Sequence, residues 1–193
     1  TLREYAVNAN VATAIYNGQL VQLSTAGLPA GVTSSPVAYQ ISGTSAAATA
    51  GIMGVMQGCS YISAEGQLLF KNFLPANLVT GGASEVVIFV NDDPNAVFQI
   101  QGSETLGNFN STNAAGAVGM NASLATLSAG STTTGKSGMA LTVGTDGGSL
   151  AATETLAMRI IGVVPGTETD AFPEFLVKYN CGVHSYTNSL GLA

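Results

Sequence analysis

The chain has 193 residues, of which only 8% are charged, and a net charge of −6; about 25% charged is usual. Its five basic residues, Arg3, Lys71, Lys136, Arg159 and Lys178, stand singly, which argues against the clustered cations that a nucleic-acid backbone requires. The most apolar run, Ala46 to Met56, is built largely of small residues and falls short of the ~20 apolar residues of a membrane-spanning helix.

The opening TLREYAVNAN lacks the apolar segment of a signal peptide. The expectation is a soluble chain synthesised in a cytoplasm, with neither nucleic acid nor membrane as partner. Hydrophobic residues make up 46% and mean hydropathy is positive. So few charges leave a surface suited to lying against other protein.

Local signals are mostly β. Residues 1–12 read as an N-terminal arm. In AIYNGQLVQLS, 14–24, Asn17-Gly18 between apolar arms predicts a tight hairpin with a type I′ turn. A Gly/Pro/Ser loop follows over 25–35. PVAYQISG, 36–43, and GIMGVMQG, 51–58, read as strands, and the Ala-rich run at 45–50 allows at most one helical turn. CSYISAEGQLLFKNFL, 59–74, reads as a hairpin around Glu65-Gly66. EVVIFVN, 85–91, is a nearly continuous apolar run and the best candidate for a central strand. Asp92-Asp93-Pro94-Asn95 predicts a turn of hairpin type, and AVFQIQ, 96–101, alternates as a strand. Residues 102–136 are rich in Gly, Asn, Ser, Thr and Ala and read as a long irregular insertion, in which NASLATLSA, 121–129, is a weak strand. GMALTVG, 138–144, TLAMRIIGVVPG, 155–166, and FPEFLVKYN, 172–180, restore strand character. The expectation is one all-β domain over 1–193, a barrel or sandwich with the 102–136 insertion.

GSTTTGKS, Gly130 to Ser137, matches the phosphate-loop pattern G-x-x-x-x-G-K-[ST]. A phosphate loop needs a helix to start at once. Here GMALTVGTDGG follows, with glycines and β-branched residues that make a poor helix. The apolar strand ending in Asp92 lies upstream and leads into turn chemistry. The segment therefore reads as a turn leading into a strand, with no nucleotide. Asp92, Asp93 and Asn95 lack the spacing of a calcium loop. Glu168 and Asp170 read as solvated loop carboxylates. His184, beside Ser185, has no acid partner nearby in sequence, and Arg159 is expected to point outward from its strand. Cys59 and Cys181 read as buried thiols; a disulfide between them would suit a particle that lives outside a cell. No catalytic, cofactor or metal site is expected.

GVMQGCSYIS, LLFKNFLPA, VVIFVNDDPNAVFQIQ, TTTGKSGMALTV, TLAMRIIGVVPG and FPEFLVKYNCGVHSYTN together resemble structural proteins of tailed bacteriophages, especially marine podovirus-like ones, over roughly residues 50–187. The resemblance is one of pattern and includes no catalytic motif. It implies a capsid decoration or cement protein on the head exterior, with the major capsid protein as partner. The acidity suits the outside of a shell. Homotrimers are expected from lattice geometry, with 1–12 and 102–136 as contact regions. Two alternatives stay open: another head–tail or tail component, and a host-surface or glycan-binding module, which the absence of Trp disfavours.

Overall fold

A computed structural model describes residues 2–7, 11, 13–23, 37–40, 52–104, 116–144, 149–180, 184 and 187. The chain is all-β. Its strands are β1 (Leu2–Val7), β2 (Ile15–Tyr16), β3 (Leu20–Leu23), β4 (Val37–Gln40), β5 (Ile52–Ile62), β6 (Leu68–Lys71), β7 (Phe73–Leu74), β8 (Ser84–Asn91), β9 (Val97–Gln101), β10 (Asn121–Ser128), β11 (Gly138–Thr142), β12 (Met158–Val163) and β13 (Glu174–Tyr179). Among the described residues, only Gly116 and Ala117 have helical geometry.

Two curled sheets result. The first runs β3-β4-β1-β8-β5-β6, and β3 also pairs with β5. The pairings β3–β4–β1–β8–β5–β3 therefore close a ring, with β6 attached to its outside. The β1–β4 pairing is parallel; the others in the ring are antiparallel. The second sheet runs β11-β10-β12-β13-β9. It curls until Gly102, just past β9, bridges Leu141 of β11, where the Ser103 amide donates to the Leu141 carbonyl at 2.8 Å. A short ribbon of β2 and β7 pairs with neither sheet, while its Ile15 and Leu74 pack into the first sheet's core.

Each sheet encloses a core. Tyr5, Val7, Met53, Met56, Ile88 and Val90 pack within the ring. Leu124, Leu141, Ile160, Phe175, Val177 and Tyr179 pack within the second sheet. Strand β5 supplies both cores. Ile52 and Val55 enter the second, while Met53, Met56, Cys59 and Tyr61 enter the ring. Strict alternation cannot place Met53 and Met56 on one side. Bulges do so: the register slips against β3 between Val21 and Gln22, and against β8 between Met56 and Gly58 and again between Ser60 and Ile62.

Several sequence expectations change in the structure. Residues 2–7 of the supposed arm form a strand inside the first sheet, between β4 and β8, with Tyr5 and Val7 buried. The Asn17-Gly18 turn forms, with the Gln19 amide donating to the Tyr16 carbonyl at 3.0 Å. Of the pair, however, Gly18 alone has positive φ, 84°, as in a type II turn, which splays its arms. Accordingly β2 pairs with β7 and β3 with β5. The turn at 92–95 also forms, with the Ala96 amide bonded to the Asp93 carbonyl at 3.0 Å. It carries the chain from the first sheet to the second and closes no hairpin. Within 102–136, β10 is a full strand whose Ala122 and Leu124 are buried; its small side chains conceal it in the sequence. The strand at 51–58 and the first arm of the predicted 59–74 hairpin are one strand, β5. That hairpin forms with β6, and the run 85–91 lies centrally, between β1 and β5. The helical turn weighed at 45–50 and the loop at 25–35 lie outside the described residues.

β5 and β8 approach closely at Gly54, where a Cβ would overlap the Asn91 carbonyl oxygen and the Val90 side chain. Gly54→Ala is expected to cost about 3 kcal/mol, read from the denaturant midpoint. Gly116→Ala, where a Cβ meets nothing within 4 Å, is the control and should leave the midpoint in place. Equal midpoints for the two variants would contradict this packing.

Candidate functional site

The GKS segment is folded against phosphate binding. Strand β11 begins at Gly138, directly after Ser137, so no helix aims its end at the loop. The amides that would face a phosphate already have acceptors. Thr134 donates to Ser131 Oγ at 3.2 Å and Lys136 to Thr134 Oγ1 at 3.4 Å. Gly135 donates to the Ser131 carbonyl at 2.7 Å and Ser137 to the Asn17 carbonyl at 2.8 Å. The loop's role here is to hold the β2–β3 turn: the Asn17 amide returns a bond to the Gly135 carbonyl at 2.9 Å.

The folded chain gathers polar residues that lie far apart in sequence. Asp92, 3% exposed, accepts a hydrogen bond from Tyr5 Oη at 2.6 Å and an ion pair from Arg3 Nη1 at 3.3 Å. Tyr179, from the second sheet, donates to the Asn91 carbonyl at 3.1 Å. Its ring packs edge-on to Phe98 and tilted on His184, with centroids 5.2 and 5.1 Å away. His184 bridges Ile52 of β5 and is fully buried. The acid near His184 is thus Asp92, which sequence proximity could not reveal. Burial lowers the His184 pKa, with the Asp92 and Met53 backbones and the nearby Asp92 and Asp93 charges opposing. Burial also raises the Tyr179 pKa. The group's geometry suits fastening: it ties β1, β8, β5 and β13 at one point.

The other residues singled out in sequence do not join this cluster. Arg159 is exposed, as expected of its strand position, and its Nε donates to Asn121 Oδ1 at 2.9 Å. The Asp93 carboxylate accepts from the Asn95 amide at 2.9 Å, as a turn residue does. Glu168 Oε2 accepts from the Gly166 amide at 2.8 Å, and Asp170 is exposed. Cys59 is a buried thiol donating to the Phe73 carbonyl at 3.2 Å. Burial pushes its pKa up to about 11 against the pull of Lys71, which leaves it unreactive at neutral pH. Cys181 lies outside the described residues.

The surface feature with functional potential is apolar. On the outer side of β5, β6 and β8, Leu68 and Phe70 are 61% and 69% exposed. Ile62, Val87 and Phe89 beside them are half-buried. Phe70 stacks on Phe89 at 6.5 Å with rings 10° from parallel. Gly58, opposite Phe89, adds no side chain to separate them. Strand β6 ends the sheet order, so its outer edge is open among the described residues. Sequence reading missed this face. The signal was LLFK, a run apolar on both sides of a strand where one side should be polar.

No known protein family, curated protein or solved structure matches the chain.

Two outcomes test the polar junction. Tyr5→Phe leaves the Asp92 carboxylate without its buried donor and should cost about 2 kcal/mol by denaturant titration. His184 is the chain's single histidine, so one imidazole resonance reports it. That resonance should titrate below the ordinary 6.5. The imidazole is neutral when folded, so its burial contributes fully above the unfolded pKa. The contribution is lost as pH falls below 6.5 and the unfolded chain takes up a proton. Titration at or above the ordinary value would contradict the buried placement.

Proposed function

We propose that this protein is a structural subunit of a tailed-phage virion, a decoration protein that binds the head exterior and stabilises the shell. The observation that carries the reading is the exposed apolar face of Leu68, Phe70 and Phe89 beside the open edge of β6. Apolar side chains so exposed on a contiguous sheet face favour a protein partner. An open edge strand adds unpaired backbone groups for the same contact. The sequence resemblance to phage structural proteins supports the major capsid protein as the partner. A subunit that binds only the assembled lattice stabilises it by mass action, RT ln(1 + [L]/Kd) per site.

The acidic, sparsely charged composition supports an exterior position away from packaged DNA. It also supports contacts that are apolar and hydrogen-bonded. Trimers at local threefold sites remain the proposed assembly, because closed rings avoid open-ended polymerisation. With β1 built into the first sheet, the proposed contact moves from residues 1–12 to the β6 face.

Phe70→Asp and Leu68→Asp should each weaken binding to decoration-free particles by at least about tenfold, or 1.4 kcal/mol. Their denaturant midpoints should stay within ~0.5 kcal/mol of wild type, as for surface substitutions. Binding should persist in about 1 M salt, where exposed charge pairs are screened. In purified virions the copy number should be comparable to that of the major capsid protein. A handful of copies per particle would indicate a tail component, and full binding by both Asp variants would remove the β6 face from the contact.

A further inference from the structure

Between the two sheets lies a cleft of about 320 Å³, at the lower end of the ~300–1,000 Å³ range in which proteins hold small molecules. Its position follows from the topology. Strands β10 and β12 pair only at Asn121 and Ala122, then diverge, so the interior of the second sheet opens toward β3 and β5. Val177 and Met158, 0% and 2% exposed, line it from the core side. Leu20 and Val55 line it from the shared β3–β5 wall, with Phe98 and Met139 beside them.

The polar lining is one-sided in charge. Lys136 is the one charged side chain among the lining residues, which include no carboxylate; the chain as a whole has eleven acids to five bases. Lys136 is exposed and forms no ion pair among the described residues. Glu174, outside the lining, accepts from the side chain of the lining residue Gln99. The amide of Leu20 also donates here, and its acceptor is the Met139 sulfur at 3.4 Å.

We propose that this cleft binds a small amphipathic carboxylate, with its hydrocarbon part among Leu20, Val55, Met139 and Met158 and its carboxylate toward Lys136. An apolar interior excludes a fully polar ligand, and a lone cation at the mouth favours an anionic head group over a neutral one. The two methionines, flexible and polarisable, can repack around a chain. The site requires neither a capsid partner nor the β6 face.

The five methionines provide the test. With the methyl groups carbon-13 labelled, sodium decanoate below its micelle concentration should shift the Met139 and Met158 signals saturably. Met53 and Met56, in the other core, should not move. Decanol should bind about threefold to fivefold more weakly, the range expected of one exposed charge interaction. Lys136→Gln should bring decanoate down to the level of decanol, and Phe70→Ser should leave both unchanged. No shift at Met139 and Met158, uniform shifts at all methionines, or equal decanoate affinity in Lys136→Gln would each overturn the proposal.

Discussion

Strand β5 carries side chains into two cores at once, and the rest of the fold is arranged around that demand. A strand buried on both faces normally sits inside a layered sheet. Here its one face fills a closed ring and its other face caps a second curled sheet. Three slips in register let consecutive residues serve the side that needs them. Two glycines of β5 follow from the same crowding. Gly54 admits the Asn91 backbone, and Gly58 leaves the outer side open for the Phe70–Phe89 stack.

The shared wall would be weak if only apolar contact held it. The junction at Asn91 and Asp92 supplies direction. Tyr5 and Arg3 reach Asp92 from the N-terminal strand, and Tyr179 reaches Asn91 from the last strand described. A buried carboxylate with fixed donors specifies one arrangement, because any other leaves it without partners. In a chain with so few charges, placing one of them here makes the relative position of the two sheets depend on both ends of the described chain.

The strands were legible in sequence wherever large apolar residues made the pattern, as in 85–91 and 172–180. They were faint where small residues did the packing: NASLATLS buries Ala122 and Leu124 yet reads only as a weak strand within an irregular insertion. Turn chemistry gave turn positions correctly and pairing incorrectly. Asn17-Gly18 and Asp92–Asn95 both reverse the chain, but whether the flanking strands then pair is decided by long-range competition. Tyr16 finds Phe73, and Val97 finds Lys178. The same limit hid the Tyr5–Asp92–His184 grouping, whose members are separated by most of the chain. For GKS, local propensity was sufficient, because a strand in place of a helix removes the phosphate geometry whatever surrounds it.

An open apolar edge is a hazard as well as a proposed contact surface, and β6 limits the hazard by its dimensions. Its four residues offer few ladder bonds, and Lys71 followed by the break at Asn72 stops further pairing. Short length and an edge lysine are common means of blocking unwanted strand addition. Among the described residues two other sheet ends find partners: β3 joins β5, and the end of β9 bridges β11. The stacked Phe70 and Phe89 at the β6 edge supply rigid area with little entropy to lose. A neighbour that meets β6 alone gains little. A partner that also matched the adjoining face of Ile62, Val87 and Phe89 would gain considerably more, and a difference of that kind is what makes docking selective.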